Sequence, residues 1–111
     1  MFLGDCMYTL INNKKYNIIS MNSFFKRLKG LMFKKEAIKD IYLFPKCSSI
    51  HTYFMKQNID VCIIDKKNMI TYTKSNVKKR SIIIKKGYST LEMPLGTCKH
   101  LKIGDTLIIK K

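Results

Sequence analysis

Short apolar stretches broken by polar pairs recur along the whole chain, and most alternate in the two-residue rhythm of a strand. Residues 6–11 and 16–20 read as two strands around the turn Asn12-Asn13-Lys14-Lys15. Residues 41–44 form a short strand closed by Pro45, and 69–74, 81–84, 88–93 and 106–109 read as further strands, with 81–84 and 88–93 paired across Lys85-Lys86-Gly87. One segment follows the helical period instead: Asn22 or Ser23 caps it, and Phe24 or Phe25, Leu28, Leu31 and Met32 repeat on one face. Pro94 opens a second, short helix through Leu101. The pattern predicts a single α+β domain over residues 1–111. It is mostly antiparallel β, a compact barrel-like sheet with one main helix and one short helix.

The densest run of strand-forming residues lies between Cys47 and Asp65, and it predicts a hairpin of 48–55 with 60–65. In the expected register Met55 faces Asp60, Tyr53 faces Cys62 and His51 faces Ile64. Ile50, Thr52, Phe54, Val61 and Ile63 then share one face, and His51, Tyr53, Met55, Asp60, Cys62 and Ile64 share the other. The second face is mixed, as in a pocket lining or a sheet covered on both sides. A His51–Asp60 couple for general-base chemistry fails in this register, because four residues of strand separate them by about 13 Å.

Charge changes the picture more than composition does. The 111 residues carry a formal net charge of +15, with 46% hydrophobic residues, which indicates a folded domain with a strongly basic surface. Nearly all the positive charge is lysine; only Arg27 and Arg80 offer the forked guanidinium favoured for phosphate and base contacts. Lys78, Lys79, Arg80, Lys85 and Lys86 make the most concentrated basic stretch and are the nucleic-acid candidates. No apolar run approaches a membrane span, and no basic region followed by a long apolar one suggests a leader, so the expected location is cytoplasmic. Cys6, Cys47, Cys62 and Cys98 are scattered without a Cys-x-x-Cys pair and read as small buried residues. A zinc set of Cys47, His51, Cys98 and His100 matches no common ligand spacing, so neither metal nor cofactor is expected.

Several blocks resemble the domain of unknown function 192 family, an uncharacterised, mainly bacterial and archaeal group. They are Gly30-Leu31-Met32, Leu43-Phe44-Pro45, Ser49-Ile50-His51-Thr52 with Phe54-Met55, Ile59-Asp60-Val61, Leu91-Glu92-Met93-Pro94 with Gly96, and Gly104-Asp105. The likeness spans about residues 20 to 109. It implies a compact β-rich domain and no established reaction, and many relatives look exported. Relatives often carry proline before Ile-Asp, where this chain has Asn58.

The residues themselves offer His51, Thr52, Met55, Asp60 and Glu92 as a candidate ligand-binding set, since isolated buried carboxylates need hydrogen-bond donors. The expected function is a small non-enzymatic binding or accessory module with a polar pocket near the central hairpin. Its partner is an unknown small polar ligand or a protein. One alternative is a nucleic-acid-binding protein using the lysine-rich surface. Another is a hydrolase or transferase using His51 with an acid.

Overall fold

The computed structural model describes residues 7–20, 38–45, 49–51, 58–78, 82–84 and 88–111, with the backbone alone for 49–51 and 82–84. Eight strands follow in chain order: β1 (Met7–Ile11), β2 (Lys14–Ser20), β3 (Ile41–Phe44), β4 (Ser49–His51), β5 (Ile59–Ile64), β6 (Ile70–Val77), β7 (Ile82–Ile84) and β8 (Ser89–Met93). A 3-10 turn, Thr97–His100, comes after them. Six strands form one sheet in the order β1-β2-β3-β8-β5-β6, and β4 and β7 form a separate antiparallel pair. Every pairing in the large sheet is antiparallel except β2 with β3.

Local chemistry sets the turns. Asn12 and Asn13 join β1 to β2 with φ of 51° and 65°, the left-handed pair a tight hairpin requires and one that asparagine tolerates. Between β5 and β6, Asp65 Oδ1 accepts the N–H groups of Lys67 at 2.8 Å and Met69 at 2.9 Å. Asn68, φ 65°, donates its N–H to the Asp65 carbonyl, so the aspartate's side chain and backbone together close the turn.

The core lies on both faces of the sheet. Ile11, Ile18, Ile41, Cys62, Ile64, Leu91 and Met93 pack on one face with Cys98 and Leu107, and Ile38, Tyr42, Phe44, Ile59, Val61, Ile63 and Val77 pack on the other. Consequently every residue of β5 and of β8 is buried. A strand covered on both sides loses the simple apolar–polar alternation, which is why Ile59–Ile64 reads as a nearly continuous hydrophobic run.

Several expectations need correction. The barrel-like α+β arrangement does not hold: the sheet is open, ending at β1 and β6, and the described residues are dominated by strands with no α-helix among them. The main helix expected over 22–32 lies outside the described residues, and the span 94–101 holds a turn and the 3-10 turn. Of the hairpin of 48–55 with 60–65, the described part of the first arm is 49–51, and it is not paired with β5: β4 pairs with β7, so His51 sits opposite Ile82, while β5 lies between β8 and β6. For the same reason 81–84 does not pair with 88–93. The last stretch is not a strand of the sheet. It makes isolated bridges, Thr106 with Met69 and Lys110 with Tyr8, and so touches both ends of the open sheet.

The β1–β2 turn provides a test. Asn13→Ala places a Cβ in the left-handed region without the compensating amide, and is expected to lower stability by about 1 kcal/mol in a denaturant titration. Asn13→Gly should leave stability at or above the parental value, and equal losses for both variants would show that side-chain contacts rather than φ decide this position.

Candidate functional site

Asp60 is the second residue of β5 and is fully buried. It pairs with Met93, and strand alternation sets its side chain on the face of Cys62 and Leu91. Each carboxylate oxygen accepts one backbone N–H: Oδ1 from Asn76 at 2.8 Å and Oδ2 from Cys98 at 2.9 Å. Both donors come from distorted backbone. Ile59 pairs with Val77 and Val61 with Lys74, so β6 has one residue too many across this interval. The surplus is a bulge, and Asn76 within it has φ 53°. Its side chain is held as well, with Asn58 Nδ2 donating to Asn76 Oδ1 at 3.1 Å.

The second donor follows the chain's reversal after β8. Gly96, φ 91°, turns the backbone through a region that side chains rarely enter. Thr97 caps that reversal, donating from its N–H and its hydroxyl to the Pro94 carbonyl at 3.2 and 2.7 Å. Cys98 then faces inward with its N–H on Asp60, and its Sγ donates to the Val61 carbonyl at 3.3 Å. Asp60 therefore joins three elements: β5, the bulge of β6 and the turn after β8.

Burial and then the negative charge of Asp60 push the Cys98 thiol up to about 12. Burial, with a smaller contribution from Cys98, does the same to Cys62. Both are free thiols that stay protonated at neutral pH, so neither is an activated nucleophile.

Glu92 lies in β8 opposite Tyr42 on one side and Val61 on the other. These neighbours belong to the sheet's other face. Burial alone pushes its carboxyl up to about 8, so it is largely protonated at neutral pH. Asp60 and Glu92 thus point to opposite faces of one sheet and do not line a common cavity.

The remaining candidates are placed as follows. His51 is described by its backbone, in β4 opposite Ile82. Thr52 and Met55 lie outside the described residues, as do Lys79, Arg80, Lys85 and Lys86. Lys78 follows β6 and is exposed. His100 ends the 3-10 turn with its Nε2 3.5 Å from Asn12 Nδ2. Among the described residues no three His, Cys, Asp or Glu side chains gather closely enough to hold a metal ion, and no helix is long and apolar enough to cross a membrane. Neither Asn76 nor Cys98 is marked in the sequence as a partner of Asp60. Asn76 within β6 and Pro-Leu-Gly-Thr before Cys98 are both turn-type signals. Neither reveals which carboxylate it faces.

The fold and this buried junction define a small open-sheet domain in which Asp60 and Cys98 tie separate elements together through backbone groups. The domain of unknown function 192 family, described as an uncharacterized ACR, matches residues 8–109, and the chain belongs to that family. Two solved structures share the fold. One is a protein of unknown function from Novosphingobium aromaticivorans, 14% identical, with TM-score 0.72 over 93% of this chain and 83% of that one. The other is named as a putative transcription regulator from Sinorhizobium meliloti, 16% identical, with TM-score 0.74 over 94% of this chain and 90% of that one. No functionally curated protein matches the chain.

Two substitutions test the roles of the acids. Asp60→Asn keeps the shape but replaces one acceptor with an amide N–H that confronts a backbone donor. It should destabilise by about 2–3 kcal/mol and speed hydrogen exchange at the Asn76 and Cys98 amides. A loss near zero would remove the junction from the account. Glu92 binds its proton more tightly folded than unfolded. Its contribution is therefore full below its ordinary value of 4.5 and declines as pH rises toward about 8. The decline is at most about 1.4 kcal/mol per pH unit. Glu92→Gln should abolish this decline in melts taken at about pH 5 and about pH 8, and a decline that survives the substitution would belong to another group.

Proposed function

We propose that this protein is a non-enzymatic binding module whose partner carries negative charge. The observation that carries the reading is the formal charge of +15 on 111 residues, expressed on the surface by exposed lysines such as Lys15, Lys39, Lys67, Lys74 and Lys99. A charge of this size raises the encounter rate with acidic partners and repels basic ones. The engagement of Asp60 by two backbone donors and the protonated state of both described thiols support the same reading, since each is a structural use of a group that chemistry would otherwise need.

A second reading is nucleic-acid binding through Lys78, Lys79, Arg80, Lys85 and Lys86. Two observations favour it: Lys74 and Lys78 are exposed along the outer strand β6 and just beyond it, and one solved structure of the same fold is named as a putative transcription regulator. The likeness in fold is a reason to test the reading.

Retention on immobilised heparin at neutral pH separates the possibilities. The protein should bind at low ionic strength and elute with salt. Titrations with DNA or RNA should show log affinity falling linearly with log salt if phosphates are the partner. Absence of binding to any polyanion at low salt would overturn the first reading. Turnover of a substrate, lost in His51→Ala, would overturn its non-enzymatic part.

A further inference from the structure

The sheet's two faces are not equally covered at its β1 end. Tyr8 pairs with Asn17, and Leu10 pairs with Lys15, so these four side chains share one face of the β1–β2 hairpin. That face is the outer one: the inward residues of the same strands are Thr9, Tyr16 and Ile18, all buried. The C-terminal segment extends the surface on the far side of β1. Tyr8 and Lys110 exchange both backbone hydrogen bonds, at 2.9 and 2.8 Å, and the Thr9 hydroxyl donates to the Ile108 carbonyl at 2.7 Å. That bond brings Ile108, exposed like Leu10, alongside β1.

The outcome is an apolar pair with a cationic margin. Leu10 is 53% exposed and Ile108 64% exposed, and Ile19, two residues beyond Asn17 on the same face, is 39% exposed. These are projecting side chains rather than the floor of a cleft. Lys15 carries its Nζ 4.7 Å above the Tyr8 ring, holding a cation beside Leu10. Lys110 stands opposite Tyr8. Residues 7–20 and 106–111 together contain Lys14, Lys15, Lys110 and Lys111 and no aspartate or glutamate. Lys15 and Lys110 give the apolar side chains a cationic margin, with Asp40 lying beyond β2 on the β3 side.

We propose that this face is a docking surface for an anionic lipid bilayer. It rests on the reading above that the partner is negatively charged and adds which partner and which face. A bilayer interface accepts projecting aliphatic tips without requiring a matching cavity, and acidic headgroups complement a cationic margin. A phosphate backbone complements the lysines but has no use for Leu10 and Ile108. Among the described residues of the patch the aromatic ring is that of Tyr8, already covered on one side by Lys15, which leaves little platform for base stacking. The attachment is peripheral, by side-chain tips and charge, with the sheet lying against the surface.

Co-sedimentation with large vesicles tests the assignment. The protein should bind vesicles containing about one part phosphatidylglycerol to two parts phosphatidylcholine, and not phosphatidylcholine alone, with salt weakening the binding. Leu10→Ser with Ile108→Ser should reduce partitioning about tenfold while leaving heparin retention intact. Lys15→Glu with Lys110→Glu should reduce it at least as much. All these side chains are exposed, and unchanged thermal melts would confirm that both double variants fold. No binding to anionic vesicles, with heparin retention intact, would overturn the lipid assignment and leave the binding module standing; loss of both would overturn the two together. Vesicle binding unaffected by either double variant would overturn the choice of face. A dimer in solution that Leu10→Ser with Ile108→Ser dissolves would assign the face to a second copy instead.

Discussion

A single buried carboxylate holds together the parts of this structure that regular hydrogen bonding leaves open. The β6 bulge and the turn after β8 each leave a backbone N–H without a ladder partner, and both are directed at Asp60. An unpartnered N–H inside a protein costs about 1–3 kcal/mol, so an acceptor at this point is what makes the two distortions tolerable in one small domain. The arrangement also explains why the acid lies at the start of a strand that is otherwise wholly apolar. Replaced by an aliphatic residue, it would leave β5 packed well and its neighbours unanchored.

The contrast with Glu92 shows how position decides the use of the same functional group. Both acids lie in strands buried on both faces, one residue apart across the β5–β8 ladder, since Val61 pairs with Glu92 and Asp60 with Met93. Asp60 meets directed N–H groups. Glu92 meets Tyr42 and Val61 as cross-strand neighbours, and burial is the whole cause of its displaced pKa. The pleat separates them more completely than any distance along the chain would.

Much of the local structure was legible in the residues, and the pairing was not. The bounds of 41–44 and the turn at Asn12-Asn13, though not its extension over Lys14-Lys15, which belong to β2, follow from turn chemistry and strand alternation, which act within a few residues. The division of β5 into a Val61, Ile63 face and an Asp60, Cys62, Ile64 face also follows from alternation, and the mixed character of the second face belongs to a sheet covered on both sides. Which strands lie side by side is a different kind of information. The reading of 48–65 as a hairpin relied on sequential strands being neighbours, and β4 instead meets β7 while β8 inserts between β3 and β5. For the site, two buried acids were visible as exceptions in apolar strands. Their opposite orientation depended on the β8 register, and the donors to Asp60 depended on a bulge whose only local mark is Asn76. The family was legible from its motif blocks, since those blocks contain the acids and glycines that the turns and the junction need.

The bridges made by the last residues have a consequence for how the chain reaches its native state. Tyr8 is bridged to Lys110, far along the chain, and Met69 to Thr106, so both margins of the sheet depend on the segment 106–110. Contacts this distant along the chain form late and slowly. Until that segment docks, the outer margin of the β1–β2 hairpin lacks its bridge partner. During that interval the exposed Leu10 stands opposite Lys15, whose charge disfavours edge-to-edge association between copies.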